Sequence, residues 1–116
     1  MWQVRTAVLA AKRSNSPRYR VGAAAFKGSR CIGHTSNKFR KVKREYRSTG
    51  RGCAELRLSS CTDLAGSTVF VVRLNDSGEL RMSKPCFLCE CLLRSLGCKR
   101  VVFSNTLGEL EEDRYE

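Results

Sequence analysis

The 116-residue sequence has no long apolar run, two prolines, one histidine and a single acidic residue among its first 51 positions. Apolar runs of only a few residues exclude a helix that spans a bilayer. The opening segment, MWQVRTAVLAAKRS, places an arginine inside a short apolar stretch and has no cleavage site after a long apolar core. We therefore expect no signal peptide and an intracellular, cytoplasmic protein. Without repeats or low-complexity segments, residues 1–116 are expected to form one domain.

Cysteine, in contrast, is abundant, with seven residues in the chain. Thiols are kept reduced in the cytosol, so this number argues against a disulfide scaffold and favours metal ligation for some of them. Cys31 and Cys61 are expected to be buried core thiols. Four cysteines lie close together near the end of the chain: Cys86, Cys89, Cys91 and Cys98.

Positive charge is strong and unevenly distributed. The formal net charge is +11, and residues 1–51 contain 14 Lys and Arg but only one acid, Glu45. A basic surface of this strength attracts polyanions such as nucleic acid or nucleotide phosphates. The alternative is an ordinary solvated surface without a specific partner.

Hydrophobic periodicity predicts the order α-β-β-α-β-α-β, with a further strand at the end. The predicted segments are a helix over 2–13, strands over 19–28 and 30–35, a basic loop over 36–52, a helix over 53–66, a strand over 67–74, a helix from Pro85 to Gly97, a strand over 98–104 and an acidic edge strand over 109–116. This order predicts a three-layer α/β/α domain around a central mixed sheet of about five strands.

Three of the cysteines are candidate metal ligands. Cys86 and Cys89 lie at the predicted start of one helix and Cys53 at the start of another, so three thiolates can hold a tetrahedral zinc with an open fourth position. Glu55, two residues after Cys53, points past the metal and can take a proton from a bound water. The alternative is a structural zinc site made by the four clustered cysteines, with Cys53 in the core.

These residues resemble the cytidine and deoxycytidylate deaminase superfamily. Its signature is H-x-E followed by P-C-x-x-C, with a three-cysteine variant, and here the two parts are CAE at 53–55 and PCFLC at 85–89. Cysteine as the first ligand resembles the free-cytidine deaminases, and the small size resembles compact deaminase-like proteins of phages. The resemblance covers residues 19–104 and includes four strand-like segments, RYRVGAAAF, CIGHTSN, TVFVVRL and KRVVFS.

The resemblance implies a cytidine deaminase-like fold and zinc-dependent hydrolysis of a cytosine base to uracil. Glu55 would pass a proton from the zinc-bound water to the leaving ammonia. The substrate-binding residues implied are Asn37, Val21, Ala23, Ala54, Ser83 and Pro85, and the implied phosphate-binding residues are Lys38, Arg40 and Lys41. Family members usually assemble as dimers or tetramers, so we expect a homo-oligomer.

The sequence does not decide between two classes of substrate. The substrate is either a free cytidine-type nucleoside or nucleotide, or a base in single-stranded nucleic acid. The segment after Asn37 lacks the acid that family members often use around the sugar, which favours a phosphate-bearing substrate. Two further alternatives are adenosine deamination on RNA and a catalytically silent, zinc-stabilised nucleic-acid-binding module.

Overall fold

The computed structural model describes residues 2–14, 20–37, 58, 62–75, 77–85 and 87–115. The elements in these residues are α1 (Trp2–Lys12), β1 (Arg20–Lys27), β2 (Arg30–Ser36), β3 (Thr68–Leu74), β4 (Leu80–Arg81), α2 (Phe87–Ser95), β5 (Arg100–Ser104) and β6 (Leu110–Arg114). Neither described helix is long and apolar enough to cross a bilayer. The single-domain prediction for residues 1–116 includes segments outside the described residues and stays a prediction.

The strands form one mixed sheet. Its order is β2-β1-β3-β5-β6, and the two-residue strand β4 also pairs with β3. β1 is antiparallel to both of its neighbours, β5 is antiparallel to β6, and β3 and β5 are parallel. The parallel pair is connected through β4 and α2, as a crossover between parallel strands requires. The predicted α/β architecture and terminal edge strand are confirmed, and β4 is an addition to the five strands expected.

Each face of the sheet has its own buried cluster. On one face α1 packs on alternate residues of the central strands, including Ala24, Phe70 and Val72. On the other face, Leu93 of α2 and the isolated Leu58 pack on the intervening residues of the same strands. This alternation is the period-two pattern of a strand buried on both faces. Helices on both sides give the three layers that the sequence predicts.

The contact between α1 and β1 depends on small residues. Ala7 and Ala11 of α1 are fully buried. Gly22 of β1 lies beneath them, and a Cβ placed there would meet the Ala7 carbonyl oxygen and the Ala11 amide nitrogen. A backbone so close to a helix leaves no room for a side chain. The helix and the strand are therefore in contact through their main chains.

The end of α2 has the geometry of a Schellman cap. The Gly97 amide donates to the Arg94 carbonyl, and the Cys98 amide donates to the Leu93 carbonyl. Gly97 has a φ of 80°, which favours glycine. Tyr115, after β6, lies beside this helix with the Arg94 guanidinium 4.3 Å above its ring centre. Burial, with the charge of nearby Glu90, raises the pKa of Tyr115 to about 12.

Two sequence predictions are wrong in detail. The helix predicted over 53–66 does not reach its expected end, since residues 62–67 are not helical. The Asp63 carboxylate accepts the Ala65 amide at 3.1 Å, and such a local turn competes with helical hydrogen bonding. Cys31, expected in the core, is exposed on the outer strand β2. Cys61 lies outside the described residues.

Candidate functional site

One edge of the sheet, the one at which the carboxyl ends of β3 and β5 lie, brings together several chain segments that carry predicted site residues. Val21 at the start of β1 pairs with Arg73 near the end of β3, and Gly22 pairs with Ser36 at the end of β2. The parallel strands β3 and β5 both end at this edge. In open α/β sheets, ligands bind outside the carboxyl ends of the strands. The edge is therefore the position where a binding site is expected.

Asn37 is held firmly at this edge by its backbone and its side-chain oxygen. Its amide donates to the Val21 carbonyl at 2.9 Å, and its Oδ1 accepts the Val21 amide at 2.9 Å. The Ser14 hydroxyl, just after α1, lies 2.6 Å from the same Oδ1. These bonds to Oδ1 fix the position of the Asn37 side chain at this edge.

Val21 and Ala23 lie on the face of the sheet that α2 covers. Ala23 is completely buried, whereas Val21 is partly exposed at the edge. Val21 is therefore the better placed of the two to touch a bound molecule. Their role as pocket-lining residues stays a prediction.

Ser83 joins the segment before α2 to the ends of β3 and β5. Its hydroxyl lies 2.7 Å from the Val71 carbonyl and 2.8 Å from the Ser104 hydroxyl, and it accepts the Ser104 amide at 2.9 Å. The Ser104 hydroxyl in turn donates to the Arg81 carbonyl at 2.6 Å. Both serines are buried. This network fixes the entry to α2 against the carboxyl ends of two parallel strands.

Replacing Ser83 by alanine is expected to lower the free energy of unfolding by about 1–3 kcal/mol, because buried polar groups of Ser104 lose their partner. Urea denaturation measures this change. A matched control is Ser95→Ala, since the Ser95 hydroxyl also bonds a carbonyl, that of Leu92, but is exposed. Equal stability losses in the two variants would contradict the structural role of the Ser83 network.

The start of α2 contains the described part of the predicted metal site. Pro85 is buried immediately before this helix, and Cys89 is buried within its first turn. The positive end of a helix favours the thiolate, which is the metal-binding form of cysteine. Pro85 and Cys89 are thus compatible with a metal site at this edge.

The other predicted site residues lie outside the described residues: Cys53, Ala54, Glu55, Cys86, Lys38, Arg40 and Lys41. Within the described part of the chain, no group of three or more metal-ligating side chains is found. The zinc site, the catalytic carboxylate and the phosphate-binding loop stay predictions.

The sequence analysis overlooked a pair of arginines at the same edge. Arg73 of β3 lies directly opposite Arg81 of β4 and, on its other side, opposite Val21. Arg73 is partly buried and its Nε is enclosed by protein. Arg81 is bonded locally, to the Leu80 carbonyl at 3.1 Å and to Glu79 at 3.5 Å. Like charges directly opposite each other in a sheet are destabilising, so an anion near them would be bound favourably.

Comparison with solved structures identifies the architecture. Cytidine deaminase from Burkholderia pseudomallei superimposes with a TM-score of 0.69 at 19% identity, over 98% of this chain and 91% of that one. The chain has the cytidine-deaminase fold. Cytidine deaminase from Mycobacterium leprae matches with a TM-score of 0.62 at 23% identity, over 96% of this chain and 90% of its own.

A dCMP deaminase has the same fold. The enzyme of cyanophage S-TIM5, solved in complex with dCMP and dUMP, matches with a TM-score of 0.62 at 23% identity, over 89% of this chain and 78% of that one. No protein-family model and no curated protein sequence matches the chain. The cytidine-deaminase fold implied by the resemblance is confirmed by structure, at a level of identity that sequence comparison does not detect.

Proposed function

We propose that this protein is a zinc-dependent hydrolytic deaminase that converts the cytosine of a nucleoside monophosphate to uracil. The observation that carries the proposal is the meeting, at one edge of a cytidine-deaminase fold, of Asn37, the carboxyl ends of β3 and β5, and Ser83 in the segment before α2. A fixed amide side chain and a cysteine at a helix start, beside the carboxyl ends of the strands, suit binding of a polar ring beside a metal.

The predicted donor set fits zinc. Three cysteines, Cys53, Cys86 and Cys89, are ligands that zinc prefers, and three protein ligands leave a fourth position for water. Cys89 supports this assignment because it is buried in the first turn of α2. Zinc, when bound, supplies a Lewis acid that activates water.

The remaining chemistry belongs to the side chains. Glu55 accepts a proton from the attacking water and delivers it to the departing amino group. A C4–O bond forms and the bond from C4 to the amino nitrogen breaks. Of the two protons of the water, one ends on ring N3 of uracil and the other leaves with ammonia. Asn37, held in place by Val21 and Ser14, lies against the substrate. The Ser83 network holds the segment before α2 against β3 and β5.

Positive charge near the site favours a phosphorylated substrate. Arg73 and Arg81 lie opposite each other beside Val21, and a phosphate between them relieves their mutual repulsion. The basic residues Lys38, Arg40 and Lys41 directly follow Asn37 in the sequence. The solved complex of the cyanophage enzyme with dCMP and dUMP also supports a nucleotide.

A substrate panel tests the proposal. The zinc-loaded protein is incubated with CMP, dCMP, cytidine, deoxycytidine and a cytosine-containing single-stranded oligonucleotide, and mass spectrometry detects replacement of NH by O. We expect product from the monophosphates. Turnover of the oligonucleotide alone, falling steeply with salt, would contradict a nucleotide substrate. No turnover of any compound would favour a binding module without catalytic activity.

The role of the arginine pair is tested by Arg73→Leu. We expect KM for the monophosphate to rise by about tenfold or more while KM for the nucleoside changes little, because a charge-assisted hydrogen bond contributes about 1.5–3 kcal/mol. The nucleoside is an internal control, since a folding defect would affect both substrates equally. Arg81→Leu is a second variant, and an unchanged ratio of the two KM values in both would overturn the assignment.

A further inference from the structure

The opposite edge of the sheet, where β3 and β5 begin, contains a cavity that the proposed reaction does not use. It has a volume of about 360 Å³, which is within the range of small-molecule sites. Its walls come from α1, from four strands and from the turns next to them. The polar lining residues include Gln3, Thr68, Lys99, Arg100 and Arg114.

The position of the cavity separates it from the candidate active site. Thr68 begins β3, whereas Arg73 lies near its end, and five residues of strand span about 17 Å. The two sites also use opposite faces, since Phe26 and Phe70 belong to the cluster beneath α1. The cavity is therefore separate from the proposed active site.

One row of side chains across the sheet forms the core of the site. Phe26 pairs with Thr68, Thr68 with Arg100, and Arg100 with Arg114, on four neighbouring strands. The row places an aromatic ring, a hydroxyl and two guanidinium groups side by side. Arg100 is fixed within it, because its Nε donates to the Thr68 hydroxyl at 3.0 Å.

The two arginines in this row form a like-charge pair, which costs stability when the residues are directly opposite. Glu112, in the next row, compensates by accepting Arg100 Nη1 and Arg114 Nε, each at 3.1 Å. Burial would raise the pKa of the Glu112 carboxyl, but the bonds and charges of Arg100 and Arg114 outweigh it and lower that pKa. The carboxylate therefore occupies the place of an anion between two arginines.

The net charge at the cavity remains positive after Glu112 pairs with the two arginines. Lys99, Arg100 and Arg114 carry three positive charges, and Glu112 neutralises one of them. The first turn of α1, which contributes Gln3, has no acidic residue to offset the positive end of the helix. The rings of Phe26 and Phe70 are almost completely buried beneath this site, where they pack edge to face with centroids 5.6 Å apart.

We propose that this cavity is a second binding site for a small phosphorylated molecule. The phosphate binds Arg100 and Arg114 in competition with Glu112, with Lys99 and the Thr68 hydroxyl nearby. Guanidinium groups match phosphate oxygens in geometry and charge, which makes a phosphate the favoured anion.

Calorimetric titration of the whole protein tests this site with guanosine monophosphate, guanosine and inorganic pyrophosphate. Guanosine monophosphate has no amino group at the carbon that the proposed reaction attacks, so it is not consumed. We expect saturable binding of the two phosphate compounds and at least tenfold weaker binding of guanosine. Guanosine binding as tightly as its monophosphate would overturn the proposal. Binding of a single-stranded oligonucleotide without binding of the mononucleotide would also overturn it.

Variants locate the site. Arg100→Gln and Arg114→Gln are each expected to weaken guanosine monophosphate binding by tenfold or more. Arg94→Gln, which also removes an arginine bonded to a glutamate (Glu90, 3.1 Å), is the matched control and is expected to leave binding unchanged.

The decisive variant is Glu112→Gln. It removes the competing carboxylate and is expected to tighten binding at least threefold, an outcome that misfolding does not produce. Weaker binding in Glu112→Gln, or an equal loss in Arg94→Gln, would overturn the site.

Discussion

Glu55→Gln is expected to lower the rate of cytosine deamination by about a thousandfold, since a positioned general acid–base group contributes about 10²–10⁴ to the rate. Glutamine has nearly the same size and keeps the hydrogen-bonding oxygen, but it cannot accept and deliver a proton. The loss is expected in kcat, while KM for the nucleotide changes little. Ammonia release measures the rate, and metal analysis of the purified variant is expected to show an unchanged zinc content.

A matched control separates this effect from a general loss of charge. Glu109→Gln removes a carboxylate from an exposed position before β6, and it is expected to leave the rate unchanged. Activity in Glu55→Gln within a few fold of the parent would contradict the proposed chemistry. Loss of zinc together with activity would indicate that Glu55 supports the metal site instead.

Gly22→Ala is expected to destabilise the protein by at least about 3 kcal/mol, the upper part of the range for overpacked cores. The added methyl group would lie against the backbone of Ala7 and Ala11, which cannot move away without shifting α1 from the sheet. Such a loss is a large part of the total stability of a small domain. Thermal or urea denaturation measures it.

Gly33→Ala is a control of the same chemistry on the neighbouring strand. A Cβ at Gly33 would meet the side chain of Thr62 rather than a backbone, and a side chain can change rotamer. Neither Gly22 nor Gly33 has a positive φ, so alanine is conformationally acceptable at both. The expected cost at Gly33 is about 1 kcal/mol. Equal costs at the two positions would contradict the backbone contact between α1 and β1.

The sequence predicts most of the described elements because local patterns specify them. The apolar spacing of α1, the turn at Gly28 and the Pro85 and Gly97 boundaries of α2 depend on neighbouring residues only. The prediction that a helix over 53–66 ends at residue 66 rested on Gly66 alone. Local bonds at Asp63 end the helical conformation earlier, and apolar spacing does not detect such a competing turn.

The candidate site is only partly predictable for a related reason. Asn37 and the cysteines are recognised from motifs, which sequence shows directly. Arg73 and Arg81 become neighbours only through the register of β3 with β4. Arg100 and Arg114 likewise meet through the register of β5 with β6. Pairing between strands is decided by tertiary contacts, so no local pattern indicates that these charges face one another.

The acidic strand β6 also affects how copies of this protein meet. It forms one border of the sheet, where unpaired main-chain groups are a template for adding a strand from another molecule. Three acids of β6, Glu111, Glu112 and Asp113, outnumber its single base, Arg114, so two such borders repel each other. Since dissolved ions screen this repulsion, concentrated salt weakens the protection against edge-to-edge aggregation.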